Sequence, residues 1–430
     1  MWTARRARLL AISRGSFERV EQSLRKTPII SPMSNPSRTV LHALALVACC
    51  IPLLGVAQVA TKPLGKPDIE YRQPFTTISG LRELRDGRVI VADSRDKTLQ
   101  LIDLARGLAT PVGRAGAGPG EWGNPTRLYA LPSDSTLMTD FSNNRYFIIN
   151  PDGKPGLTLG VPENGPESSS SLTGIDAMGR MLLVADRRPK GPMDGSVGVA
   201  DVLRVDRRGR RVDTVATLMQ PAGERTAATM MGSGMMRMAT NLPLAARDLT
   251  AIAGDGRIAI VRTSPYRVEW IGTDGKHVQG PVTVASNIRI TDAEREAFTR
   301  TQIRPGAILV RGPGGGATPP ASSKAGGGGA AKISSAEIKA MMNPDMTWPT
   351  VKPPFLDGAV QIDPNGRVWV LRTRAHDDSI PTFDVFDATG RVTERVTLPK
   401  RTKLVGFGRG VVYLARTDED DLVWLQRVRR

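Results

Sequence analysis

Cysteine and histidine are scarce in this sequence. The 430 residues include 2 Cys and 3 His, and both cysteines, Cys49 and Cys50, lie in one apolar run near the N-terminus. If that run is removed, the remaining chain has no thiol and keeps only His277 and His376 as imidazole ligands. Zinc sites are built mostly from Cys and His side chains, so we expect neither a zinc site nor a cysteine nucleophile.

Aromatic residues are also few, at 5%, whereas Gly (44) and Pro (32) are abundant. This balance favours a protein of many short strands and turns over a helical bundle. The sequence has no glycine-rich nucleotide-binding spacing and no basic stripe interleaved with aromatic residues, so we expect no nucleic-acid partner. Hydrophobic residues make up 40% of the chain and charged residues 23%, within the range of globular proteins.

An apolar run from Val40 to Leu54 follows Arg38 and precedes the small residues of Gly55–Ala57. A basic flank, an apolar stretch and a small-residue cleavage site are the features of a secretory signal peptide. The run is shorter than a membrane-spanning helix requires. We therefore expect cleavage after Ala57 and export to the periplasm or the extracellular space. Either Met33 is the true start, or residues 1–32 form a non-folding extension.

A second interpretation of the same run concerns Leu46–Cys49, which resembles the lipobox of bacterial lipoproteins. In such proteins the cysteine is acylated and becomes the new N-terminus. The apolar run continues to Leu54 after Cys49, where a lipoprotein would have a polar tether, and this favours ordinary cleavage. Membrane association is therefore expected only if Cys49 is lipidated.

Basic residues exceed acidic ones, with 59 Lys and Arg against 42 Asp and Glu. Residues 1–57 hold 8 of the basic and 2 of the acidic residues, so the rest of the chain has 51 against 40 and a net charge of +11. Such an excess suits contact with anionic polymers or lipids of the cell envelope, and it is also ordinary for a solvated surface.

Six segments of the sequence share one pattern: a strand, a glycine-containing turn, an apolar strand, a polar turn and a second apolar strand. They begin at Leu81, Arg127, Leu172, Leu249, Ala359 and Lys403. Three of the intervals are about 45 residues, which is the period of a propeller blade. A fourth strand follows five of the repeats. The sixth repeat ends with the chain, so Asp68–Phe75 is predicted to supply its fourth strand and to close the ring.

These repeats resemble the six-bladed β-propellers of the NHL-related group found in bacterial secreted proteins, and Gly113–Pro125 is similar to that group's glycine-rich turn between blades. The resemblance implies an all-β, six-bladed β-propeller over residues 58–430, with terminal strand closure. It does not select among enzymes, sensors and binding scaffolds, because propellers of this kind include all three.

The longest insertion, at about residues 285–356 between blades four and five, is predicted to be partly helical and partly low-complexity. Thr291 and Glu294 form a capping box that starts a helix ending near Thr301, and Ser334 with Glu337 starts a second. Between them, Gly312–Ala331 is low-complexity. We interpret the insertion either as a partial lid over the axial opening or as a packed decoration.

The long connections all fall at one end of the blades, the top face, which favours that face as the functional one.

Aligning the second strands of the six repeats places acids at one half of a ring and arginines at the other. The aligned residues are Asp93, Asp140, Asp186, Arg262, Arg372 and Arg416, with Tyr266 and Arg145 as secondary candidates in the adjoining loops. Such a ring could hold an anionic or zwitterionic ligand, since guanidinium groups bind carboxylate or phosphate through two parallel hydrogen bonds. The alternative role for the aspartates is to accept hydrogen bonds from the backbone of the next turn.

The sequence therefore predicts an exported, monomeric propeller that acts as a binding or scaffold module for a small anionic or zwitterionic ligand or for an envelope protein. One alternative is a cation-dependent hydrolase or lyase with a top-face carboxylate site. Calcium is the cation that oxygen ligands alone could hold, although no motif supports it. The other alternative is a surface lipoprotein sensor. We expect no other cofactor and favour a binding function over an enzymatic one.

Overall fold

The computed structural model describes residues 59–163, 165–168, 170–187, 198–221, 224–231, 234–240, 243–302, 310–311, 317–318, 334–341 and 348–430. The predicted leader, its cleavage site and the lipobox lie outside these residues. Among the described residues, no helix combines the length and the apolar character needed to cross a membrane.

Six four-stranded sheets, each with antiparallel neighbours, form the blades of a β-propeller, and one of the sheets carries a fifth strand. In chain order, the N-terminal strands are β1 (Thr61–Pro63) and β2 (Ile69–Glu70). Blade 1 is β3 (Gly80–Glu83), β4 (Val89–Asp93), β5 (Thr98–Asp103) and β6 (Leu108–Pro111), followed by β7 (Arg114–Ala115) and β8 (Glu121–Trp122). Blade 2 is β9 (Leu128–Ala130), β10 (Thr136–Asp140), β11 (Arg145–Ile149) and β12 (Pro155–Gly160). Blade 3 is β13 (Ser170–Ile175), β14 (Met181–Asp186), β15 (Gly198–Asp206) and β16 (Arg211–Gln220).

The second half of the chain completes the ring. A hairpin of β17 (Glu224–Met231) and β18 (Gly234–Thr240) precedes blade 4, which is β19 (Leu249–Ile252), β20 (Ile258–Thr263), β21 (Tyr266–Ile271) and β22 (His277–Gln279). The insertion contains α1 (Asp292–Gln302), β23 (Val310–Arg311), β24 (Ala317–Thr318) and α2 (Ser335–Met341). Blade 5 is β25 (Val360–Ile362), β26 (Val368–Leu371), β27 (Thr382–Phe386) and β28 (Val392–Thr397), and blade 6 contains β29 (Thr402–Gly408), β30 (Val411–Thr417) and β31 (Val423–Arg429). Strands a to d of each blade run from the inside outward.

The burial of each strand follows its place in the blade. The b strands β4 and β10 are buried along their whole length, as expected for apolar strands covered on both faces by neighbouring blades. The d strand β6 is exposed throughout.

Repeated turns of the form Asp-x-x-Gly-Arg connect a and b strands. In one of them Asp176 accepts backbone N–H groups of Met178 and Arg180 at 3.0 and 2.9 Å, and Gly179 has a φ of +80°.

The predicted ring closure is confirmed. β2 pairs antiparallel with β31 as the d strand of blade 6, and Phe75 extends the pairing to Val423. Around this seam, the buried side chains of Tyr71 and Phe75 pack with Tyr413 and Leu425 in the cluster between blades 6 and 1. An additional strand that the sequence did not predict, β1, pairs in parallel with β28 at the outer edge of blade 5.

The insertion lies on the upper end of blade 5. This upper end is the top face named above, which carries the b–c loops and the d-to-a connections. The Glu294 N–H donates to Thr291 Oγ1 at 3.4 Å, which confirms the predicted start of α1. The Glu294 carboxylate accepts the backbone N–H of His376 at 2.8 Å and forms an ion pair with Lys352. α1 is thereby fixed to the returning chain and to the b–c loop of blade 5.

The ring closure gives a test of stability. Phe75 is 5% exposed, and its replacement in Phe75→Ala should lower the free energy of unfolding by about 3 kcal/mol, because a buried ring is removed from the seam that closes the propeller. Thermal and denaturant unfolding would measure the change. Phe141→Ala is the matched control, because Phe141 is 73% exposed and its loss should change stability by less than about 0.5 kcal/mol. Equal stability of the two variants would contradict the proposed importance of the seam.

Candidate functional site

A channel of about 1640 Å³ runs along the axis of the propeller and is lined by residues of all six blades. Its wall consists largely of the a strands, with residues from both the upper and the lower ends of the blades. This volume exceeds the few hundred to roughly 1,000 Å³ of an ordinary small-molecule pocket. None of the described residues of α1 or α2 lines the channel, and the interpretation of the insertion as a partial lid stays a prediction.

The upper mouth of the channel carries charged side chains of both signs. Arg127 and Lys403, on blades 2 and 6, are exposed, and neither forms an ion pair with a described residue. Asp186 and Asp357, on blades 3 and 5, are exposed as well. The Asp357 side chain is 74% exposed, accepts the Gly358 N–H at 3.0 Å and makes a long ion-pair contact of 3.6 Å with Arg247. The two cations without a described ion-pair partner therefore lie on blades 2 and 6, whereas the exposed carboxylates of blades 3 and 5 are accompanied by the ion-paired Arg187 and Arg247.

The lining as a whole has an excess of available positive charge. The basic residues among the described lining are Arg82, Arg85, Arg127, Arg187, Arg247, Lys403 and Arg409, and the acidic ones are Glu83, Asp134, Asp176, Asp186, Asp248, Asp357 and Asp363. Three of these acids pair with arginines outside the lining, through the pairs Asp176–Arg180, Asp248–Arg262 and Asp363–Arg367. Only one lining base, Arg187, pairs in the same way with an outside acid, Asp201.

Two of the predicted aspartates hold loops. The Asp93 carboxylate is 1% exposed and accepts the backbone N–H groups of Thr76 and Thr77, each at 2.9 Å, as well as those of Arg95 and Asp96. Asp140 is fully buried and accepts the Gly123 N–H at 3.0 Å. The bonds from Arg95 and Asp96 match the alternative role of an aspartate that caps the next turn, whereas Asp140 holds the connection that precedes its blade.

Arg145 fixes the glycine-rich connection between blades 1 and 2. Its Nε lies 3.1 Å from Asp140 Oδ2, and its two terminal nitrogens donate to the carbonyl oxygens of Ala117 and Glu121. The buried Trp122 adds an indole N–H bond to the Val112 carbonyl at 3.0 Å. The long connection is therefore held in one conformation by the side chains beneath it.

The three predicted arginines are each paired with a carboxylate. Arg262 contacts Asp248 and Glu269, both at 2.9 Å. Arg372 lies 2.6 Å from Asp384, which also accepts a bond from the Tyr266 hydroxyl at 3.2 Å. Burial raises the pKa of Tyr266 well above its usual value, and the Asp384 charge adds to the shift. Tyr266 therefore stays neutral and acts as a hydrogen-bond donor.

Arg416 forms a two-point contact with Glu70, at 3.0 and 3.2 Å, across the seam that closes the ring. The hydrogen bond from Arg416 lowers the pKa of Glu70, burial opposes that shift, and a further bond from Gln426 lowers the pKa again. The guanidinium group thus serves ring closure, since Glu70 lies in β2 and Arg416 in β30.

Of the eight predicted binding residues, only Asp186 lines the channel. A ligand role for the other seven stays a prediction. Their contacts are hydrogen bonds and ion pairs that hold loops and neighbouring strands together. The alignment of the six second strands missed Arg127, Lys403 and Asp357, which lie at or just before the start of an a strand. The signal was present in the repeats, because the innermost strand of a propeller blade lines the axis whereas the b strand is covered on both sides.

The predicted carboxylate site for a cation does not assemble around the aligned aspartates. Asp93 and Asp140 each bond to backbone groups of their own blade's loops, while Asp186 lies at the channel. Among the described residues, no three His, Cys, Asp or Glu side chains are grouped as metal ligands. His376 Nδ1 lies 3.4 Å from Glu294 on the insertion, and His277 lies in the outer strand of blade 4.

Comparison with known proteins concerns the fold. No family model and no curated protein matches the sequence. Among solved structures, a Bacteroides fragilis protein described as exported is 10% identical with a TM-score of 0.43, over 86% of this chain and 99% of its own. The calcium-binding protein regucalcin from Agrobacterium tumefaciens is 10% identical with a TM-score of 0.37, and the match covers 86% of this chain and 97% of regucalcin. Virginiamycin B lyase from Staphylococcus aureus is 10% identical with a TM-score of 0.38, and the match covers 84% of this chain and 98% of the lyase.

The class of this protein is that of the six-bladed β-propellers, and the assignment rests on the six four-stranded sheets and the closure of the ring by β2. The likenesses above have low identity and low TM-scores, so they transfer no activity, ligand or metal to this chain.

The contact between Glu70 and Arg416 predicts a pH dependence of stability. Because the pKa of Glu70 is lowered in the folded state, the pair stabilises the fold above the unfolded pKa, and that contribution is lost as the pH falls through the folded pKa. Glu70→Gln should therefore show a smaller drop in melting temperature than the wild type between pH 6 and about pH 3.5. The effect should be below about 1 kcal/mol, since the pair is partly exposed.

Glu419→Gln is the control for this measurement, because Glu419 is exposed and forms no ion pair with a described residue. Its acid-induced drop should match that of the wild type. An unchanged drop in Glu70→Gln would show that the Arg416 contact does not stabilise the seam.

Proposed function

We propose that this protein is an exported, non-enzymatic binding module that takes an anionic or zwitterionic ligand into the upper mouth of its axial channel. One observation supports the proposal above the others. Arg127 and Lys403 are exposed cations without an ion-pair partner among the described residues, and Asp186 and Asp357 lie on the opposite side of the same mouth. By contrast, Arg262, Arg372 and Arg416 are each paired within the fold.

The chemistry of the mouth suits a ligand with separated charges. A carboxylate or phosphate can accept hydrogen bonds from the Arg127 guanidinium and the Lys403 ammonium group. An ammonium group of the same ligand can approach Asp186 or Asp357. The channel volume of about 1640 Å³ suits a ligand of several residues, such as a short peptide, better than a single metabolite.

A cation-dependent hydrolase or lyase was the alternative that the sequence left open. It depends on Asp93, Asp140 and Asp186, and the first two are buried and bonded to backbone N–H groups of loops. The contacts therefore favour binding over carboxylate-held cation chemistry. The same site could also serve a scaffold function. In that case the ligand is an acidic segment of an envelope protein that binds at the upper mouth.

The binding proposal can be tested with tetraglutamate, a short peptide that carries several carboxylates and one free ammonium group. Arg127→Ala/Lys403→Ala should weaken its binding at least about tenfold, because each lost charge-assisted hydrogen bond contributes about 1.5–3 kcal/mol. Isothermal titration calorimetry at low ionic strength would measure the affinity, which should fall with added salt. N-acetylated tetraglutamate should bind more weakly than the free peptide if Asp186 and Asp357 contact the ammonium group.

Lys276→Ala is the matched control, since the Lys276 side chain is 84% exposed in the c–d turn of blade 4, away from the channel. It should bind tetraglutamate as tightly as the wild type does. Equal binding by the Arg127→Ala/Lys403→Ala variant and the wild type would overturn the assignment of the upper mouth.

The proposed export predicts a particular mature N-terminus. Mass spectrometry of the protein recovered from its native envelope fraction should give a chain that begins at Gln58, because the small residues before it form the cleavage site. A chain that begins at an acylated Cys49 would instead establish the lipoprotein alternative, and an uncleaved chain in the cytoplasm would contradict export.

A further inference from the structure

The lower mouth of the channel has a chemistry of its own. It is formed by the a–b turn ends of blades 6, 1 and 2 and is lined there by Arg82, Glu83, Arg85, Asp134 and Arg409. Arg85 and Arg409 are exposed, and neither side chain forms an ion pair with a described residue. We propose that this lower mouth is an anion-binding site, separate from the upper mouth, that takes a carboxylate or phosphate group between Arg85 and Arg409.

The backbone holds these two arginines in place without using their guanidinium groups. The Arg85 N–H donates to Asp134 Oδ2 at 2.9 Å, and the Arg409 N–H donates to Glu83 Oε1 at 3.0 Å. Each turn is therefore fixed to the neighbouring blade by a carboxylate, while the charged end of the side chain stays exposed. Because these contacts are made by the backbone, the turns are set before any ligand arrives.

The two acids of the lower mouth are already bonded. Asp134 forms an ion pair with Arg82 at 2.6 Å in addition to its bond with Arg85 N–H. The Glu83 carboxylate accepts the hydroxyl of the buried Tyr413 as well as Arg409 N–H. Both carboxylates thus have partners other than the Arg85 and Arg409 guanidinium groups, which leaves those groups available for an external anion.

Arg82 adds a buried positive charge beside the site. Its side chain is only 10% exposed, and its Nε has no hydrogen-bond partner among the described atoms. Burial lowers the pKa of Arg82, Asp134 raises it, and the nearby charge of Arg85 lowers it again, so the two guanidinium groups are close enough to repel. An anion bound at Arg85 would relieve that repulsion, since it would place a negative charge next to two positive ones.

Two sources could supply the anionic group. One is a free small anion from solution. The other is the end of a polyanionic chain that enters at the upper mouth and extends through the channel. Both present the same carboxylate or phosphate oxygens to the arginine pair, and the experiment can separate them.

The test is calorimetric titration of the full-length protein with inorganic phosphate and, separately, with octaglutamate. Arg85→Ala/Arg409→Ala should lower the affinity for phosphate at least tenfold. The variant should fold normally, because the substituted side chains are exposed and alanine keeps both backbone N–H bonds. Arg85→Lys/Arg409→Lys should bind with intermediate affinity, because lysine keeps the charge but not the two-point geometry of guanidinium.

Arg208→Ala/Arg210→Ala is the matched control, since these two arginines are exposed in the c–d turn of blade 3 and form no ion pair with a described residue. It should bind phosphate as the wild type does. A free anion is the source if octaglutamate affinity is unchanged in Arg85→Ala/Arg409→Ala, and a threaded chain is the source if octaglutamate affinity falls there and in Arg127→Ala/Lys403→Ala. Phosphate binding that is normal in Arg85→Ala/Arg409→Ala would overturn the lower site, whatever happens at the upper mouth.

Discussion

The closure of the ring is the constraint on which the rest of the structure depends. Blade 6 receives only three strands from the C-terminal end of the chain, and β2 supplies the fourth. That pairing is reinforced by Tyr71 and Phe75 in the apolar cluster and by contacts from Asp68 and Glu70 to arginines of blade 6. Without it, the c strand of blade 6, β31, would expose an unpaired outer edge.

Once the ring is closed, the charges at the upper ends of the b strands have structural partners. Asp93 and Asp140 accept backbone N–H groups, and Arg372 and Arg416 pair with carboxylates. Burying these charges is tolerated only because each is paired or hydrogen-bonded. At the ends of the a strands, Asp176 and Asp248 are paired with arginines in the same way, whereas Arg127 and Lys403 form no ion pair with a described residue. The exposed charges without such a partner lie at the mouths of the channel.

Much of the fold could be predicted from the repeats, because each blade repeats the same local rules. Apolar b strands alternate with turns in which an aspartate caps the backbone and a glycine adopts positive φ, so the six units and the role of Asp68–Phe75 are visible in the sequence. β1 was missed because Thr61–Pro63 has no strand pattern and pairs only through its backbone. The partner of Glu294 was missed for a different reason, since Lys352 is distant in the chain and is brought close only by tertiary packing.

The candidate site was harder to predict than the fold. An alignment of repeats shows which residues occupy equivalent places, but not which strand faces the axis or which charges already have partners. The alignment of b strands included Asp186, whose strand end reaches the channel, but not Arg127, Lys403 and Asp357, which lie at or just before the start of an a strand. Placing a ligand at the mouths therefore required the arrangement of the blades as well as their sequences.

The central claim, that the channel is the binding site, can be tested by blocking it. Ser171 is exposed and lines the channel, so a bulky maleimide on Ser171→Cys, in a chain with Cys49 and Cys50 replaced by serine, would obstruct it. The same label on Lys276→Cys would modify an exposed turn away from the axis. The account predicts that the label on Ser171→Cys abolishes tetraglutamate binding and that the label on Lys276→Cys leaves it unchanged. Full binding by the protein labelled at Ser171→Cys would contradict it.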